Sequence, residues 1–190
     1  MIRKLELSEI ACELGLSGKT LATRPVGEQI YHLALKKLNK INDGDAIELS
    51  LSGIHATDTS FLDEYVLGFQ RLILERYPNC IIFVSNVDIW VFENLTRLIK
   101  SWEADGIRIP VLCFQNDKYE IVGKMEANLL EAFDVCLTHK EITARQLSEI
   151  KNLVLSTAST RLRKLYECRI IYRREVINSF GKQYVYILPR

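Results

Sequence analysis

Apolar positions along the chain follow two periods, and the switches between them mark the expected elements. Residues 80–85 (CIIFVS) are a short continuous apolar run bounded by turns, the pattern of a buried strand. Residues 87–105 place Ile89, Val91, Phe92, Leu95, Leu98, Ile99 and Trp102 at helical spacing. Residues 60–77 do the same with Phe61, Tyr65, Val66, Phe69, Leu72 and Ile73, and Pro78-Asn79 stops that run. Pro25 opens a further helix with Val26, Ile30, Leu33, Ala34 and Leu38 on one face, ending near Asn42-Asp43-Gly44. Strands are expected at 2–11, 45–51, 109–114 and 119–122, with Asn116-Asp117 as the last turn, and a connecting helix at 125–136. Strand and helix alternate to about residue 136, which predicts an α/β layer with helices over one or both faces of a sheet.

The remainder reads differently. Thr143-Ala-Arg-Gln146 has the spacing of a capping box, and Ile142, Leu147 and Ile150 are the apolar positions of that helix. A short turn over 151–155 leads to Ser156, a candidate N-cap. Ala158, Leu162 and Leu165 then make a narrow apolar stripe, and Thr157, Thr160, Arg161, Arg163 and Lys164 lie off it. Residues 170–177 alternate β-branched with basic positions, Asn178-Ser-Phe-Gly181 supplies turn chemistry, and QYVYIL (183–188) returns as a second strand. Helix, turn, basic helix and basic hairpin are therefore complete from about 140 to 190. In ITARQLSEI, STASTRLRKL and RIIYRRE this quarter of the chain resembles the winged-helix DNA-binding domains of bacterial transcription regulators. It departs at Cys168-Arg169, where such domains carry Gly. Residues 7–20 (LSEIACELGLSGKT) look like the core of a second helix-turn-helix, GLS turn included. Too few residues precede them for the helix on which that motif packs, so a strand and a loop through Gly15 and Gly18 are the expectation.

The net charge of +1 conceals an asymmetry. Residues 139–190 hold 11 Lys/Arg and 4 Asp/Glu, a net of +7, against 14 and 20, a net of −6, in residues 1–138. A basic module on an acidic body points to a polyanionic partner. The five cysteines form no CxxC pair and read as small buried hydrophobes of a cytoplasmic protein. Neither a metal site nor a cofactor is expected: ligand spacings are missing, as are GxxxxGK[ST] and GxGxxG. No signal-peptide pattern and no membrane-length apolar run occurs, so no membrane partner is expected. His55, Asp58 and Ser60 have the residue types of a hydrolytic triad, but one short loop does not bring nucleophile, base and orienter into line, and no enzyme is expected.

Residues 21–30 (LATRPVGEQI) and 44–67 (GDAIELSLSGIHATDTSFLDEYVL) resemble the STAS domain of anti-sigma-factor antagonists, closest to its STAS-like bacterial relatives. The carrying pairs are Thr23-Arg24 and Ser60-Phe61. The expected architecture is thus a STAS-like α/β domain at 1–136, helices packed on a mixed sheet, followed by a small winged helix-turn-helix at 137–190. The resemblance implies a DNA-binding regulator. Thr157, Ser159, Thr160, Arg161, Arg163, Lys164, Arg173, Arg174 and Lys182 would contact duplex DNA. The first domain would sense a signal, bind a protein partner or form a homodimer, with Arg24, Asp58, Thr59 and Ser60 as its regulatory residues. Thr59 and Ser60 match the phosphorylated position of the antagonists. The alternative is a partner-switching interaction module that does not touch DNA.

Overall fold

The structure, a computed structural model, describes residues 1–16, 18–178 and 181–189. It is an α/β protein of two compact units, 1–124 and 125–190.

The first unit is organised by a five-stranded sheet in the order β1-β3-β5-β6-β7. Its strands are β1 (Ile2–Glu6), β3 (Ala46–Ser50), β5 (Ile81–Ser85), β6 (Val111–Gln115) and β7 (Lys118–Val122). The first four run parallel, and β7 is antiparallel to β6. Each parallel step moves one strand outward in chain order. With right-handed crossovers, that order keeps all the crossover helices on one side. These helices are α1 (Leu7–Glu13), α2 (Arg24–Leu38), the run α3 (Thr59–Leu62) to α4 (Gly68–Arg76), and α5 (Ile89–Ala104). One apolar core accordingly joins Ile47, Leu49, Ile82, Val84 and Cys113 of the strands to Ile30, Phe61, Phe69, Leu95 and Trp102 of the helices. A short parallel pair, β2 (Thr20–Leu21) with β4 (Ala56–Thr57), clips the loop before α2 to the loop before α3. The β6–β7 turn has Asn116 at φ 50° and Asp117 at φ 59°, both residue types that tolerate the left-handed region.

Two expectations for this unit are corrected. Residues 7–13 are a helix rather than the end of a strand: Leu7, Ile10 and Ala11 bury at helical spacing although Glu6 gives no side-chain cap. The next regular element is β2, so α1 is not followed by the second helix that a helix-turn-helix would need. Ser17, in the supposed GLS turn, lies outside the described residues. The long helix after β4 is interrupted by a π turn at Asp63–Leu67 between α3 and α4. Such turns are uncommon and gather at functional sites.

The second unit begins with α6 (Ala127–Thr138), so the boundary lies at 124/125 and not at 136/137. The reason is ionic as well as apolar. Arg161 reaches Glu131 at 3.0 Å and Lys164 reaches Glu126 at 3.1 Å, so the expected connecting helix packs on the basic helix of its own unit. Next come β8 (Glu141–Thr143), α7 (Ala144–Lys151), α8 (Leu155–Glu167) and the hairpin β9 (Tyr172–Asn178) and β10 (Gly181–Ile187). The antiparallel sheet order is β8-β10-β9. Ile142, expected on a helix, sits in β8 and is buried there. Ser179 and Phe180 of the hairpin turn lie outside the described residues.

Local chemistry explains these ends. The Thr143 side chain accepts from the Gln146 amide, and the Thr143 amide donates to Gln146 Oε1 at 2.8 Å, so the capping box forms. α7 closes on Asn152 in the left-handed conformation, with the Leu153 amide donating to the Ser148 carbonyl. α8 starts one residue early, at Leu155, and its N-cap Val154 offers no side-chain acceptor, so Ser156 is a helical residue and not the cap. At the other end Arg169 takes φ 59°, the conformation glycine usually fills, while its guanidinium donates to the Tyr166 carbonyl at 3.2 Å. A cation folded onto the last carbonyls of a helix offsets part of that backbone cost.

Candidate nucleic-acid interface

α8 turns three sides outward from its buried stripe of Ala158, Leu162 and Leu165. The first side faces α6. Thr157, Thr160, Arg161 and Lys164 line a recess of about 250 Å³ there with Asn128 and Leu129. This side is electrostatically compensated. Residues 125–138 add Glu126, Glu131 and Asp134, which lowers the net charge of the whole unit to +4, 11 Lys/Arg against 7 Asp/Glu. The Arg161 side chain is only 16% exposed, so its pair with Glu131 is an internal brace of the unit. Lys164 is more open but is held by both oxygens of Glu126. The Thr160 hydroxyl donates to the Ser156 carbonyl at 2.9 Å.

The second side faces the hairpin. Leu155 and Ser159, one turn apart, line a recess of about 270 Å³ with Arg145 of α7 and Lys182, Tyr184 and Tyr186 of β10. Residues of α7, α8 and β10, with Thr143 at the end of β8, converge on this recess, and two of its lining residues are cations. Lys182 pairs with Glu175 at 2.6 Å, which holds its ammonium above the ordinary range, yet its side chain is 59% exposed. Solvent screens an exposed pair of this kind, so it contributes little to stability. The third side, the outer ridge, carries the exposed Arg163, and the exposed Ser156 sits at its border with the α6-side recess, which it also lines. Arg163 pairs only loosely with Glu167, at 3.7 Å one helical turn away.

The two hairpin arginines have different roles. Arg174 pairs with Glu141 of β8 at 2.6 Å across the small sheet and remains exposed. Arg173 is clamped: its guanidinium carbon lies 4.2 Å from the Tyr166 ring centre and 4.1 Å from that of Tyr184. Burial pushes the Tyr186 phenol up, opposed by a hydrogen bond with Arg173. Arg173 therefore ties the end of α8 to β10. Cation–π contacts of this quality are worth about 1 kcal/mol each. Arg173→Ala is expected to lower the stability of the unit by roughly 1–2 kcal/mol, read as a loss of amide hydrogen-exchange protection in β9 and β10. Arg173→Lys should rescue little, because lysine lacks the planar group that stacks. Unchanged protection in Arg173→Ala would mean that the clamp is not structural.

Of the nine residues expected to meet DNA, Ser159, Arg163, Arg174 and Lys182 remain exposed on the hairpin side, the outer ridge or the hairpin itself. Thr157, Thr160, Arg161 and Lys164 line the α6 side, and Arg173 is in the clamp. Sequence reasoning missed Arg145, Leu155 and Tyr184 as lining groups. The legible sign for Arg145 was its place in the first turn of the capped helix, next to Thr143.

In the first unit Asp58 caps α3, accepting from the Phe61 amide at 2.7 Å, and its other oxygen accepts from the Thr23 amide at 2.9 Å. This fixes Thr23 at φ 78°, a conformation costly for a β-branched residue. Arg24 pairs with Asp63 at 2.8 Å and with Glu64, the first two residues of the π turn. Trp102 donates to the second oxygen of Asp63 at 3.2 Å. Thr59 and Ser60 are half-buried and line a recess of about 310 Å³ with Arg24, Asp63 and Arg71. The triad residue types are not assembled: His55 bonds Asp88 through Nδ1 at 3.0 Å, while Asp58 is engaged with backbone amides.

Comparison with protein-family models, with curated proteins and with solved structures finds no match. Among the described residues no helix is long and apolar enough to cross a membrane, and no group of three or more His, Cys, Asp or Glu is placed to hold a metal ion.

Proposed function

We propose that residues 125–190 form a winged helix-turn-helix that binds duplex DNA, with α8 in the major groove and the β9–β10 hairpin as the wing. One observation carries the reading: α7, α8 and β10 converge on a recess whose lining joins Arg145, Ser159, Lys182 and Tyr184. A backbone strand of DNA seated there meets cations and hydroxyls, the donors that hold phosphates. The order helix, strand, helix, helix, hairpin and the sheet order β8-β10-β9 support the same reading. The role is binding and regulatory, without catalysis.

The first unit would then be the STAS-like sensing or partner-binding part of a transcription regulator. The strained Thr23, the π turn and the recess beside Thr59 and Ser60 are what recommend this segment for a switch. Arg24 also pairs with Asp63 and Glu64, two of the three nearby acids that would repel a phosphate at Thr59 or Ser60, and the third, Asp58, accepts from two backbone amides. The same observations favour the second reading, a partner-switching module in which this recess meets a protein and the 125–190 unit does not meet DNA.

An anisotropy titration of the full chain against a labelled random duplex separates the two. With three or four phosphate contacts, affinity is expected to fall about 40- to 150-fold between roughly 50 and 200 mM salt. No binding at the lower salt sinks the DNA reading and leaves the partner-switching one.

A further inference from the structure

The tip where α7 meets α8 is apolar. Ile150 is 47% exposed, Val154 72% and Leu155 49%, three of the large hydrophobic side chains that the chain leaves in water. They are set close together in sequence around the start of a 13-residue helix. Leu155 shares its recess with two cations, Arg145 and Lys182, the latter paired with Glu175, and Lys151 and the acid Glu149 flank Ile150 in sequence. An apolar side chain beside two cations fits a polyanion that carries an apolar group of its own.

Duplex DNA presents one such group in the major groove, the C5-methyl of thymine. The other exposed side chains of α8 are hydroxyls, one arginine and one acid: Ser156, Thr157, Ser159, Thr160, Arg163 and Glu167, with Thr157 and Thr160 on the α6 side. Between Leu155 and Glu167 there is no Asn or Gln, the residues that read adenine bidentately. We infer that Leu155, with Val154 beside it, reads thymine through its methyl group, so that the site recognised by this protein contains thymine under the N-terminal turn of α8. Arg163, about two turns further along on the adjoining outer ridge, then falls on a guanine or a phosphate.

This rests on the DNA-binding reading, and the test keeps the two apart. A duplex site is first selected from a random thymine-containing pool with the full chain. The same site is then made with deoxyuridine for thymine, which deletes only the methyl groups. Wild-type affinity should fall about fourfold for each methyl contacted, the value of burying one such group. Leu155→Ala should bind the thymine site more weakly and lose the discrimination. Leu137→Ala, which removes a leucine on α6 that is 38% exposed, should keep it. Equal affinity of the wild type for both duplexes overturns the inference and leaves DNA binding intact, as does undiminished discrimination by Leu155→Ala. Absence of salt-sensitive binding to any duplex overturns both.

Discussion

Gly27→Ala is expected to destabilise the first unit by about 1–3 kcal/mol, although it places a better helix former inside α2. A Cβ at this position would lie 2.8 Å from the Phe61 carbonyl oxygen and 2.9 Å from Glu64 Cβ. The first of these is backbone, so the clash is relieved only by moving α2 off the α3–π-turn segment. That movement would disturb the Arg24 pairs with Asp63 and Glu64 and the Thr23–Asp58 bond, which join the same two segments. Gly68 makes a useful contrast. The nearest atoms to a Cβ there belong to the Tyr31 ring, at 3.1 Å, and a side chain can give way. Gly68→Ala should therefore cost less than Gly27→Ala. The measurement is straightforward because both tryptophans, Trp90 and Trp102, lie in residues 1–124. Denaturant unfolding followed by tryptophan fluorescence reports this unit alone. An unchanged or raised midpoint for Gly27→Ala would contradict the close crossing of these helices.

That crossing shows what a sequence does and does not display. Local signals were readable: the apolar run at β5, the helical spacing of α5, and the Thr143–Gln146 capping box each rest on neighbours in sequence. α1 was hidden because it is seven residues long, follows β1 without a break and has no capping side chain. β8 was hidden because three residues pair only with a distant strand, β10. Gly27 looked like any glycine in a helix, since its constraint comes from Phe61. In the second unit the helical wheel placed Arg161 and Lys164 off the apolar stripe of α8, correctly. It carried no information on which neighbour lies beside that stripe, and the neighbour is α6 with Glu126 and Glu131. The sequence offers no glycine after α8, and Arg169 takes the αL position with its own side chain folded back onto the helix end.

If residues 125–190 bind DNA as proposed, the α6 side and the hairpin side of α8 use their cations differently, and substitutions separate them. Arg145→Ala with Lys182→Ala removes two cations from the hairpin-side recess. Each phosphate contact contributes about 0.9 to the salt slope. The double variant should therefore bind a random duplex roughly 10- to 60-fold more weakly near 0.1 M salt and flatten the slope by close to two. Arg161→Ala should leave the slope where it is. Its guanidinium is mostly buried against Glu131, and its loss removes packing more than field. The expected cost is about 1–2 kcal/mol of stability, visible as faster amide exchange in α6 and α8. Glu131→Gln, which keeps the shape but drops the charge, tests the electrostatic part. If α6 merely braces α8, this variant loosens α6 without tightening DNA binding. If instead Arg161→Ala flattens the salt slope while the double variant does not, the α6 side of α8 faces the phosphates, and the hairpin-side recess loses its claim to the DNA.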